Sequence, residues 1–454
     1  MHKANVTARP LPYQPNASTY ASRLVDLPGL AVLASQGADG SVESPAGRYD
    51  IVTALPEETL HIKDFDGDVA AWMQAIESRL KLNNFAQDSC TEPPLPFAGG
   101  AIGYLDYDSA AAQHGVKLPQ PGSGWAGLYR WCIISDHETQ QSWYLSDTAL
   151  AVSTRATIEQ RLYDEHWVSK NREFHLTAPF SANITRSHYE KDIAIIQDYI
   201  NAGDCYQVNY AQRFSARYHG DTWLAFERLR EVAAGNFSAF LKHSDNHSVL
   251  SLSPERFLSV NAGRVETQPI KGTRPRGADP KTDLAMAMAL QSSPKDRAEN
   301  VMITDLLRND LGRFCAAGTV DVPALCKLHS YTNVHHLVST VVGVLRPGIS
   351  SGNLLVGSSP GGSITGAPKR RAIEIIAELE TESRGAYCGS VFVLSASGWL
   401  QSNIAIRTLE ACNGELVCWG GGGITADSDC GEEYQETLDK VGGFMRALEA
   451  DFGA

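Results

Sequence analysis

At Gly203 the hydrophobic period of this chain changes. From a start near Thr185, Ile193, Ile196 and Ile200 recur at i, i+3 and i+7, the spacing of one helix face, and Gly203 falls where the left-handed residue after a helix belongs. Over 205–214, Tyr206, Val208 and Tyr210 then alternate with Gln207, Asn209 and Gln212, the period of a half-buried strand. A helix here runs straight into a strand, so the two kinds of element of a mixed α/β fold occur within thirty residues. The polar face of that strand, ending in Gln212, is expected to look into a site.

The remaining segments repeat this mixture. Strand-like runs at 30–35, 127–134 and 142–145, separated by Gly, Pro and Asp turns, mark the first part, and further strands are expected at 237–242, 248–252 and 257–260. Helices are expected at 281–291, at 295–314 after Pro294, from Pro368 through Leu379, and at 432–450. No internal repeat or low-complexity tract occurs, and the acidic, Pro-poor stretch 148–180 is the nearest approach to a linker. Residues 1–180 are therefore expected to form the amino-terminal portion of one intertwined fold, and 181–454 its catalytic portion.

Thirty-nine basic residues against 52 acidic ones give a net charge of −13, with no Lys/Arg run able to track a phosphate backbone, so nucleic acid is not an expected partner. An anionic substrate would be opposed by this field unless local cations or a metal overcame it. Nine scattered cysteines without a C-x-x-C pair read as reduced thiols. The first thirty residues hold no apolar stretch behind a basic start, and nowhere do about 18 apolar residues run together, so a cytoplasmic protein that neither enters nor crosses a membrane is expected.

Two pairs of carboxylates stand three residues apart on expected helices: Asp296 with Glu299, and Glu433 with Glu436. Oxygen ligands of this kind suit magnesium, although spacing alone describes a solvated helix face more readily. The run from Gly361 to Lys369 enters a helix, where free N–H groups favour an anion, but Ala367 and Pro368 after Gly366 break the pattern of a nucleotide-binding loop. The run 420–423 lacks the third glycine of a dinucleotide fingerprint. For both runs a plain tight turn is an equal alternative. Lys271 sits among backbone-permissive residues, and an amine there attacks carbon only when unprotonated. Glu255, sixteen residues earlier, offers a proton for a leaving hydroxyl, unless it is spent on a salt bridge with Arg256.

Taken in order, the strings SPERF at 253–257, PIKGTRPRG at 269–277, KDRAENVMITDLLRNDLGR at 295–313, PGGSITGAPK at 360–369, SNIAIRT at 402–408, GGGGITADSD at 420–429 and EEYQETLDK at 432–440 resemble the chorismate-utilising enzymes. The match spans about 185 to 445, and GRYDI at 47–51 resembles the family more weakly. The resemblance implies a single anthranilate-synthase-like domain of two packed, largely antiparallel sheets with flanking helices. It implies a magnesium cofactor on Glu299 and Glu436, with Asp296 and Glu433 holding metal waters; Asp296 is shorter than the Glu of many members. Tyr387, Arg407, Gly421, Gly423 and Lys440 match positions that bind substrate carboxylates. Gly272, Thr273 and Ser363 lie beside them, and His336 matches a histidine near the ring.

The branches of the family differ at two positions. Water-adding members carry a lysine base where this chain is read to have Gln212, and anthranilate-forming members have a small residue at the place of Lys271. The Pro-Ile-Lys-Gly-Thr form is similar to the branch that converts chorismate and ammonia to 4-amino-4-deoxychorismate for p-aminobenzoate and folate biosynthesis. Lys271 is there the nucleophile and Glu255 the acid. Residues 32–35 lack the acid of the Leu-Leu-Glu-Ser feedback motif of anthranilate synthases, which leans the same way. Ammonia is expected from a separate glutamine amidotransferase subunit. The alternatives are an anthranilate-forming component and, of another class, a non-catalytic chorismate-binding scaffold for the amidotransferase.

Overall fold

Thr185 caps the helix Arg186–Asn201 by accepting the His188 N–H, Ile193 and Ile196 are buried along its inner face, and the chain leaves through Gly203 at φ +86°. It continues as the strand Gln207–Gly220, past the expected end at 214, because Tyr218 finds a further partner in Leu176. The computed structural model describes residues 6–35, 47–85, 94–118, 122–164, 166–167, 171–233, 235–331 and 334–453.

Among the described residues the strands form two sheets, of thirteen and ten strands, whose neighbours run antiparallel. The larger runs from Val6–Leu11 at one edge through Ala31–Ala34, Phe237–Ser244, His247–Ser253, Thr408–Cys412 and Glu415–Ile424 to Gln207–Gly220. The smaller runs from Ile270–Pro275 through Val334–Val344, Arg256–Asn261, Ser390–Ser395 and Gly100–Leu105 to Glu58–His61. Strands from before residue 181 thus stand in both. Tyr104, Trp125 and Val391 of the smaller sheet meet Ile134, Leu241 and Val249 of the larger in one buried cluster, which joins the sheets face to face.

The expected strand at 127–134 is two. Trp125–Tyr129 belongs to the ten-stranded sheet and Trp131–Asp136 to the thirteen-stranded one, and the chain passes between them at Arg130. Both pieces are buried on both faces, so the run is continuously apolar and no period marks the break. The buried Arg130 guanidinium marks it instead, held by Glu57 (2.5 Å), Asp147 (2.9 Å) and the Asn83 carbonyl (2.9 Å).

The helices begin where their caps stand. Ser293 accepts the Asp296 N–H ahead of Pro294–Gly312, and Asp429 accepts two N–H groups ahead of Cys430–Phe452. The stretch 148–180 contains the helix Val152–Tyr163 and the strand Phe174–Leu176. Among the described residues no helix is long and apolar enough to cross a membrane. The described cysteines are free, and Cys90 lies outside the described residues.

Candidate active site

Beyond Cys418 the strand Glu415–Ile424 has no further partner in Thr408–Cys412 and keeps only Gln207–Gly220, so one edge of the glycine run is open. The helix Cys430–Phe452 packs down on one face of that run. A Cβ on Gly420 would lie 2.3 Å from the Thr437 carbonyl oxygen, and one on Gly421 would lie 2.7 Å from both Ala211 and the Tyr210 carbonyl oxygen; only glycine admits this approach. Lys440 Nζ donates to the Gly421 carbonyl (2.8 Å) and pairs with Glu436 (2.5 Å).

A cavity of about 640 Å³ opens there. All fifteen residues named from the sequence line it: Glu255, Lys271, Gly272, Thr273, Asp296, Glu299, His336, Ser363, Tyr387, Arg407, Gly421, Gly423, Glu433, Glu436 and Lys440. Asn209, from the strand face expected to look into a site, lines it as well, and so do Arg274, Lys295 and Trp419, for which the sequence suggested no role. A second cavity, about 620 Å³, reaches Ser35, Phe237 and Trp399 and contains none of the fifteen.

Ser363 joins the two groups expected to act on covalent bonds. Its hydroxyl donates to Glu255 (2.8 Å) while its carbonyl accepts from Lys271 Nζ (3.2 Å). Glu255 is not paired with Arg256, which reaches Glu266 instead. Burial pushes the Glu255 carboxyl up to about 7, against the pull of Ser363, Lys271 and Lys440, so near neutral pH it holds a proton to give.

The four acids face each other from two helices. Burial raises the Glu299 and Glu433 carboxyls above their ordinary value, reinforced by like charge from Glu436. Burial acts on Glu436 in the same sense, but the Lys440 ammonium outweighs it and the net direction is downward. Glu433 accepts the Ser428 hydroxyl (2.7 Å) at one oxygen; the other is buried and without a hydrogen-bond partner among the described residues. Asp296 is paired with Arg274 (2.9 Å). Across the cavity, burial and the Arg407 charge hold His336 down to about 4, so the ring is neutral, and Thr273 meets its Nδ1 at 2.9 Å. Tyr387 stacks on Trp419 with centroids 6.0 Å apart. Arg407, at φ +50° and partly buried, has no carboxylate partner among the described residues, an arrangement suited to an incoming anion.

Residues 40–446 match the family of chorismate binding enzymes. The chain belongs to that family. Among its members, aminodeoxychorismate synthase component 1 of Escherichia coli (strain K12) is 41% identical, over 96% of this chain and 97% of the relative. Anthranilate synthase component 1 of Geobacillus stearothermophilus is 31% identical, over 90% and 87%. The crystal structure of anthranilate synthase component I from Streptococcus pneumoniae TIGR4 superposes with a TM-score of 0.76 at 29% identity, covering 89% of this chain and 94% of that one.

The expectation for Gln212 is not met. Gln212 does not face the cavity: it is fully buried, its amide donates to Thr437 Oγ1 (2.5 Å), and it stands on the same parity as Val208 and Tyr210. The polar face that meets the cavity is the odd-numbered one. Asn209 lines the cavity there, and a Cβ on Gly423 would fall 2.2 Å from the amide nitrogen of Gln207. Neither is a base, so the argument against water activation moves from Gln212 to these two residues.

Among the described residues no three His, Cys, Asp or Glu side chains are gathered as a ready metal cage. A magnesium site needs none, since this ion keeps waters and takes one or two protein carboxylates together with an anionic ligand. The partnerless buried oxygen of Glu433, with Glu299 and Glu436 lining the same cavity, fits such an ion.

Proposed function

We infer that this chain catalyses the reaction for which its 41%-identical relative is named: it converts chorismate and ammonia to 4-amino-4-deoxychorismate, the amino precursor on the way to p-aminobenzoate and folate. The observation that carries the mechanism is Ser363, which holds the protonated acid and the amine on one residue. Arg407, Tyr387, Lys440 and the amides of Gly421 and Gly423 receive the two carboxylates, and Thr273 keeps neutral His336 against the ring. Glu299 and Glu436, with Asp296 and Glu433 behind them, would hold magnesium, which when bound would supply positive charge for the ring carboxylate.

Lys271 Nζ forms a bond to ring carbon 2. The two ring double bonds shift around the ring, the bond from carbon 4 to its hydroxyl breaks, and Glu255 protonates the leaving oxygen to water. Ammonia then bonds to carbon 4, the double bonds return, and the lysine leaves as neutral amine. The product ammonium returns a proton to Glu255, so chorismate and ammonia give 4-amino-4-deoxychorismate and water. The enolpyruvyl group stays on. A separate glutamine amidotransferase subunit supplies the ammonia in the cytoplasm.

Mass spectrometry of the product from chorismate, magnesium and ammonium salt tests this reading, with 4-amino-4-deoxychorismate expected and anthranilate plus pyruvate counting against it. Absence of any turnover would favour a scaffold. In Lys271→Ala, amination at carbon 4 is expected to fall sharply, with residual product shifted toward anthranilate by direct ammonia attack at carbon 2.

A further inference from the structure

Consecutive amides of the turn leading into Tyr387 are each held by a carboxylate from a different element. Gly385 donates to Asp108 (2.7 Å) and Ala386 donates to Glu410 Oε2 (2.9 Å). Gly385 has φ +61°, and a Cβ there would lie 2.4 Å from Glu410 Oε2, so the turn is closed down onto that oxygen. Glu410 itself stands on Thr408–Cys412, three residues past Arg407, and does not line the cavity.

The second Glu410 oxygen meets His247 Nε2 (2.7 Å), and the contacts continue from His247 Nδ1 to His243 Nδ1 (3.0 Å) and from His243 Nε2 to His61 Nδ1 (3.2 Å). An ionised carboxylate only accepts, so His247 must donate from Nε2. A neutral His247 then accepts at Nδ1 from His243, whose Nε2 accepts from His61 Nδ1–H. One set of tautomers satisfies every contact with three neutral rings. Burial holds His243 down to about 3 and lowers His61, which agrees with neutral rings at those two positions; the Glu410 carboxyl is lowered because its contacts with His247 and the Ala386 amide, with Arg213, outweigh its burial.

We propose that Glu410 is a positioning residue for the chorismate site: by holding the Ala386 amide it sets Tyr387 flat on Trp419 and over Gly421, while the chain of three histidines locks it in its accepting form. The inference rests on the reading of Tyr387 as a substrate contact.

Kinetics of the full chain with chorismate, magnesium and ammonium salt test it. Glu410→Ala is expected to raise KM for chorismate about tenfold with kcat within about threefold, the loss of one charge-assisted hydrogen bond acting through binding. Tyr387→Phe should raise KM too, and the double variant should be no worse than the poorer single one, because both act through one contact. Glu410→Gln, which still offers an oxygen to Ala386, should restore KM while reversing the imidazole tautomers seen by ¹⁵N NMR. If Glu410→Ala does not fold, Glu410→Asp, too short to serve both partners, carries the same expectation. An unchanged KM in a folded Glu410→Ala or Glu410→Asp, effects that multiply in the double variant, or no rescue by Gln would overturn the proposal. An unchanged KM in Tyr387→Phe would instead remove the substrate reading of Tyr387, and the proposal with it.

Discussion

Glu255 shows how one buried carboxyl serves chemistry at a cost to the fold. It keeps its proton to about 7 because burial disfavours its charge, which makes it a usable acid near neutral pH. Hydroxide leaves poorly, so Glu255→Gln is expected to lower kcat by about 10²–10⁴-fold with little change in chorismate binding, read by steady-state kinetics and equilibrium binding. The same shift has a stability consequence of known sign. A carboxyl raised in the folded state contributes stability that is present below its ordinary value of 4.5 and is lost as pH rises through about 7. Gln mimics the protonated form at every pH. Glu255→Gln should therefore melt higher than the parent at pH 8, with the gap closing toward pH 4.5, and a lower Tm at pH 8 would contradict the burial argument. Neither the raised pKa nor the Ser363 bridge is visible in the string SPERF, since both depend on a loop more than a hundred residues away.

At the scale of elements, the two acid-bearing helices were legible because their starts are written locally, in Ser293 with Pro294 and in Asp429. Their acids fall one turn apart, and sequence spacing could say that much; that they converge depends on the open edge beside the glycine run, a tertiary fact. The misplacement of Gln212 has a different cause. Gln212 shares its polarity with Gln207 and Asn209 but not their parity, and a strand shifts face with every single residue. Glu299→Gln and Glu436→Gln each remove a charged oxygen from a hard cation, so turnover should vanish at magnesium concentrations that saturate the parent, while thermal melts stay close to it, because both side chains project into the cavity rather than the core. Undiminished activity in both variants, followed by magnesium titration, would remove these acids from the metal.

For the whole molecule the decisive contacts are those that hold one sheet to the other. Arg384, fully buried just ahead of Ser390–Ser395 of the smaller sheet, binds Glu380 with both arms (2.6 and 2.7 Å), the Asn209 carbonyl of the larger sheet (2.7 Å) and the Ile364 carbonyl beside Ser363 (3.2 Å). Removing it leaves the Glu380 charge buried and unpaired, so Arg384→Ala is expected to cost about 3–5 kcal/mol in urea unfolding and to weaken activity through the loop as well. A loss below about 1 kcal/mol would make the junction a bystander. Periodicity revealed the strands but not which sheet each joins, as the passage at Arg130 demonstrates, because burial on both faces erases the signal. That strand order also bears on how the protein is made. Ala31–Ala34 lies beside Phe237–Ser244, so during synthesis the early strands emerge roughly two hundred residues before their lasting neighbour exists. Until then the nascent chain carries an unclosed hydrophobic edge, and the interval of translation becomes the period in which this enzyme is most exposed to aggregation.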